Sequence, residues 1–184
     1  MGKFNDYRDF AFTTISENLI IAKYCLETPQ KEGELGCYGM PALILLSSII
    51  DTVGTFYRNG TGTFADISIG EASSKKGLKS ARIHFIEYRK KFARNICSEQ
   101  DFLTYIYDYS RCKAIHNGIL YPNVFISSSK SKDIIQTIDN TKVVFLPALY
   151  NLVLKSFEIM KKESGHNEFS GPILNDTGLT PSLS

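Results

Sequence analysis

From Tyr7 to Leu26 the apolar residues Phe12, Ile15, Leu19, Ala22 and Leu26 recur at steps of three and four. That spacing predicts an amphipathic helix, with Asn5 or Asp6 as its cap. Pro29 to Gly39 is rich in glycine and charge and predicts a loop, after which Pro41 suits the first turn of a second helix reaching Arg58. This second helix is apolar nearly all round, interrupted by Ser47, Ser48, Asp51, Thr52 and Thr55. Such a profile predicts a central helix with one narrow polar stripe. Asn59-Gly60-Thr61-Gly62-Thr63 breaks the chain, and the stretch to Ser74 reads as an irregular connection with a short strand around Ala65 to Ile69. A third helix is predicted from Leu78 to Cys97, where Leu78, Ala81, Phe85, Tyr88, Phe92 and Ile96 keep helical spacing opposite a basic face. Ser98-Glu99-Gln100-Asp101 offers capping chemistry for a fourth helix, Phe102 to about Asn117, which Gly118 terminates.

Beyond Gly118 the pattern changes. Ile119 to Ser127 and Asp133 to Phe145 are β-branched and aromatic, and Asp139-Asn140 between Ile134–Ile138 and Lys142–Phe145 predicts a small β-hairpin. Pro147 opens a last helix to about Lys162, with Leu149, Leu152, Val153, Ser156 and Met160 towards the core. Ser164 to Ser184 is rich in Ser, Gly, Pro and Asn and has no core of its own. The expected fold class is all-α, an antiparallel four- to five-helix bundle with a small β-hairpin inserted before the last helix. Residues 1–163 form the helical domain and 164–184 the C-terminal tail.

Composition narrows the class. A chain of 184 residues with 43% hydrophobic and 22% charged residues fits one soluble globular domain. Lysine and arginine number 21 against 19 acids, a net charge of +2, so any nucleic-acid footprint must be local. Lys75, Lys76, Lys79, Arg82, Arg89, Lys90, Lys91 and Arg94 cluster against Glu87 alone, although a basic helix face is more often simply solvated. Cys25, Cys37, Cys97 and Cys112 are scattered and read as reduced thiols, mostly buried. No apolar segment follows the single lysine of the N-terminus, and the longest apolar run, Pro41 to Ile50, is short for a bilayer. A cytoplasmic location without membrane contact is expected.

The chemistry concentrates in Arg111-Cys112-Lys113-Ala114-Ile115-His116-Asn117-Gly118. An always-charged phosphate binder and a proton-transfer group meet there at a predicted helix end. On a regular helix, residues five apart differ by about 140° in direction and ~7.5 Å along the axis, so Arg111 and His116 do not share a face. Either the helix loosens near His116, or a second chain completes the site across a two-fold axis. His116 would exchange protons with an RNA 2′-hydroxyl or a departing 5′-oxygen, while Arg111 and Lys113 stabilise the charge on phosphorus. Attack by the 2′-hydroxyl makes the reaction specific for RNA and calls for no metal or other cofactor. Tyr109 and Tyr121 are placed to stack unpaired bases, and Asn117 to contact phosphate. Asp51, an acid on an otherwise apolar helix, needs a cation or donors, and Arg111 is the candidate; Asp108 competes for the same guanidinium. The four-residue spacing of Cys112 and His116 lacks a second ligand pair, so no metal site is assigned. His84, among charges on the third helix, reads as solvated, and His166 lies in the tail; neither receives a role.

With Arg111 to His116 in place of an Arg-x(4-6)-His signature late in a helical domain, the chain resembles the HEPN superfamily of higher eukaryote and prokaryote nucleotide-binding domains. The resemblance covers most of the chain. It implies a metal-independent endoribonuclease in which Arg111 and His116 from two protomers meet at a homodimer interface. Toxin and anti-phage roles, and an antitoxin protein as partner, belong to the same implication. In this family the residue after the arginine is often Asn, Asp or His, and here it is Cys112; Gly118 stands where the subgroup paired with nucleotidyltransferase antitoxins carries tyrosine. The alternatives are a HEPN-like module that binds RNA or nucleotide without cutting it, and a helical protein-interaction domain.

Overall fold

The structure, a computed structural model, describes residues 7–29, 38–58, 75–114 and 124–165, with backbone alone at 7–8, 75–80 and 110–114. Helix α1 (Tyr7–Glu27) lays Phe12, Ile15, Leu19 and Ala22 into the core, as their spacing demands, and packs on α2 (Gly39–Arg58). α2 occupies the centre. It touches α1, the third, fourth and last helices and the first strand, which accounts for apolar residues on nearly every side. By length and composition alone α2 also qualifies to cross a membrane, but more than half of that stretch is buried among these neighbours.

Helix α3 (Lys75–Tyr88) runs on as a π-helical turn, Arg89–Ala93. The predicted helix to Cys97 therefore ends early, because a π turn carries an extra residue and rotates the register. Ile96, expected on the core face, is exposed as a result. Arg89 ties down this end: its guanidinium donates to the carbonyls of Arg94 (3.2 Å) and Cys97 (3.0 Å), acceptors that the ending helix leaves open. Ser98 then caps α4, its hydroxyl oxygen accepting from the Asp101 amide at 3.0 Å. α4 (Glu99–Asp101) continues in π-helical form over Phe102–Ala114. Thirteen residues of π-helix are unusual, since such winding normally appears as single turns.

Three short strands follow, β1 (Val124–Ser127), β2 (Ile135–Ile138) and β3 (Thr141–Phe145). β2 and β3 pair antiparallel across Asp139 and Asn140, whose φ values of 48° and 62° suit residues that tolerate left-handed backbone. β1 joins β3 in parallel, giving the order β1-β3-β2. The molecule is thus mostly helical with a three-stranded sheet, where all-α architecture with two strands was expected. The third strand cannot be read locally because its partner lies beyond β2 in the chain. Lys142 fastens the sheet to α4 through Asp101 at 3.1 Å. The last helix, α5 (Leu146–Glu163), has Pro147 in its first turn, and Leu149, Leu152, Val153, Ser156 and Met160 are all buried, as their spacing predicts. The strand expected around Ala65 to Ile69, the helix stop at Asn117-Gly118 and all but the first two residues of the tail lie outside the described residues.

Candidate functional site

On α2, Asp51, Thr55 and Arg58 follow one another at helical steps and form a polar stripe facing α3. Gly54 sits among them. A Cβ at this position would run into the backbone carbonyl of His84, so only glycine lets α3 come this close. The close approach delivers the His84 ring to the stripe. Its Nδ1 lies 2.7 Å from Asp51 Oδ1 and 3.0 Å from Thr55 Oγ1, while Nε2 lies 3.5 Å from an Arg58 guanidinium nitrogen.

The hydrogen-bond inventory assigns the tautomer. Thr55 donates its one hydroxyl hydrogen to the Asp51 carbonyl at 2.8 Å, leaving its oxygen to accept. The Asp51 carboxylate accepts only, so the proton between these groups belongs to His84 Nδ1. In the neutral ring Nε2 is then a bare lone pair, on the edge where the exposed Arg58 reaches it. The His84 and Asp51 side chains are 13% and 20% exposed, shielded yet not sealed. An imidazole held by a carboxylate through one nitrogen, with the other turned outward, is an arrangement suited to proton transfer.

This corrects the reading of His84 as solvated, since its side chain is shielded and paired with Asp51. The signal available in the sequence was Gly54 inside the polar stripe, a glycine in a helix interior that asks for a close neighbour. Asp51, expected to need a cation or donors, receives His84. Its pairing with Arg111 lies outside the described residues, as do the competing Arg111–Asp108 pair and the side chain of Lys113; His116, Asn117 and Tyr121 are outside them altogether. A ring contact joins α3 to α4. Phe85, the residue after His84, packs on Tyr107 of α4 with ring centroids 4.9 Å apart. Arg111 follows Tyr107 by four residues, less than one π turn. Tyr109 is half-buried and meets Tyr105 edge-on at 5.5 Å, and Tyr105 in turn lies beneath the Lys142 ammonium.

Much of the basic face of α3 is engaged. Lys90 pairs with Glu87 and Lys91 with Glu163, each at 2.8 Å, and Arg89 lies 3.7 Å from Glu99. Burial, reinforced by the nearby Asp101 charge, pushes the Cys97 thiol up to about 11, so it is no activated nucleophile. Comparison with family models, curated proteins and solved structures returns no match.

Proposed function

We propose that the protein is a HEPN-like, metal-independent endoribonuclease that cuts single-stranded RNA through 2′-hydroxyl attack, as a cytoplasmic homodimer of antiparallel helical bundles. His116 exchanges protons with the reacting oxygens and Arg111 stabilises the charge growing on phosphorus. Lys113 and Asn117 bind flanking phosphates, and Tyr109 and Tyr121 stack bases. A toxin or anti-phage role, with an antitoxin as the controlling partner, fits this chemistry.

The observation that carries the reading is the winding of α4. Regular helical geometry sets Arg111 and His116 on different faces, but the backbone at Arg111 already departs from it. Bonds between residues five apart bring positions five apart towards alignment, and π turns recur at functional sites. The non-catalytic alternative, in which the basic face of α3 holds RNA by itself, is less well supported because Lys90 and Lys91 are taken up in ion pairs.

The test is cleavage of labelled single-stranded RNA in EDTA by the purified protein beside Arg111→Ala and His116→Ala, with product ends analysed. Cleavage to 2′,3′-cyclic phosphate ends that both substitutions abolish is the expected result. A folded dimer that binds RNA without cutting it returns the non-catalytic reading.

A further inference from the structure

Helix α1 buries one face and turns a second apolar line outward. Phe12, Ile15, Leu19 and Ala22 are buried where α1 packs on α2 and α5, with the Phe12 and Phe157 ring centroids 5.8 Å apart. On the opposite side Thr14, Glu17, Ile21 and Tyr24 follow one another at steps of three, four and three, the spacing of a coiled-coil seam. Ile21 is 49% exposed and Tyr24 53%. At the same end of the helix the Tyr38 amide donates to the Cys25 carbonyl at 2.9 Å, which adds another tyrosine, 40% exposed. Single outward apolar residues are ordinary on a protein surface, but a row of them marks an interaction site. We propose that this line is the docking surface for an amphipathic helix of a different protein, one that presents apolar side chains at seam spacing and a lysine or arginine opposite Glu17. The surface lies outside the ribonuclease reading, since α1 packs on α2 and α5 whereas α4 packs on α2 and α3.

Period and charge together define the occupant. A repeat of 3.5 residues stays turned towards one neighbour when that neighbour is a helix running along it, and α1, with 21 residues, offers a length of about 30 Å. Glu17 stands exposed within the line. Its helical neighbours at three and four residues are Thr13, Thr14, Ile20 and Ile21, so α1 itself supplies no cation, and among the described residues Glu17 has no ion-pair partner. A carboxylate covered by an apolar partner needs an opposite charge, which makes Glu17 a selector between partners. A second copy of this chain cannot provide the match, because the same line carries no lysine or arginine. A lipid surface fits no better. Helices that lie on membranes use lysine and arginine to meet anionic lipid, whereas the exposed charges along this patch are Glu17 and Glu27, the latter 3.9 Å from Lys23.

The experiment measures binding of two labelled synthetic peptides to the full-length protein by fluorescence anisotropy. Each peptide is an amphipathic helix of about five turns with leucine at the seam positions. One has lysine at the central seam position and its twin has glutamate there. The lysine peptide should bind the parent roughly tenfold more tightly than its twin, because like charges placed opposite each other repel. Ile21→Ser and Tyr24→Ala should each weaken it by about tenfold, with circular dichroism and thermal melting unchanged. Glu17→Lys should reverse the preference between the twins, which unspecific apolar adhesion would not do. Binding of neither peptide to the parent overturns the proposal, and so does equal binding of both. Sedimentation that shows a parent dimer broken by Ile21→Ser overturns it in favour of a second copy. Flotation of the parent with vesicles of phosphatidylcholine and phosphatidylserine, abolished by Tyr24→Ala, overturns it in favour of a membrane.

Discussion

Helix α3 carries two polar contacts of opposite character. On its core side Tyr88 is wholly buried, its ring nearly parallel to that of Phe102 with centroids 6.0 Å apart, and it donates its hydroxyl hydrogen to Ser156 at 3.0 Å. Ser156 passes its own hydrogen to the Val153 carbonyl at 2.7 Å, so the chain of donors closes within the core. Burial holds the Tyr88 hydroxyl far above its ordinary range, with the Ser156 hydrogen bond opposing. On the side facing α2, His84 is bonded just as closely through Nδ1, and its Nε2 meets the exposed Arg58 at 3.5 Å. Both clusters satisfy their buried groups, as low-dielectric surroundings require. The difference lies in where each polar chain ends: that of Tyr88 closes on a carbonyl in the core, whereas that of His84 ends at Arg58 on the surface.

Substitutions on the two sides should show how much each contact contributes to stability. The largest expected effect is Tyr88→Ala, which empties an aromatic site among Phe92, Phe102 and Ser156 and should lower stability by about 3–5 kcal/mol in denaturant titration. Gly54→Ala comes next. The added methyl meets backbone that cannot rotate away, so a loss of about 1–3 kcal/mol is expected, together with displacement of His84 from Asp51 visible in its ring resonances. An unchanged melting temperature in this variant would break the argument for a close approach. Asp51→Asn keeps the shape of the pair and should cost about 1 kcal/mol in the same titration.

The smallest effect belongs to the surface. Glu163 accepts from Lys91 and from the Tyr57 hydroxyl, each at 2.8 Å. The Lys91 hydrogen bond holds its carboxyl below the ordinary glutamate value against a partial burial cost, with help from Tyr57. A depressed carboxylate stabilises the fold above its unfolded-state value, and that contribution disappears as pH falls through the lower, folded value. Glu163→Gln should therefore lower stability slightly near neutrality, by less than about 1 kcal/mol because the pair is exposed, and match the parent in acid. Equal melting curves at every pH would show the pair to be energetically silent.

What the sequence by itself determined is what neighbouring residues settle among themselves. The stripes of α1 and α5, the Ser98 cap and the Pro147 start are recorded at steps of three and four, because a helix makes its own hydrogen bonds locally. The central place of α2 was legible too, since a helix apolar nearly all round must be surrounded. The π winding of α3 and α4 was not, because the same spacings fit regular helix until side chains from other elements set the register. Nor was the parallel pairing of β1, whose partner strand comes after β2. Arg111 and His116 stand out in sequence because they are five residues apart, whereas Asp51 and His84 are separated by 33 and had no local reason to be read together. Only the packing of α3 across Gly54 decided that they meet, because a contact between helices depends on how closely two backbones can approach.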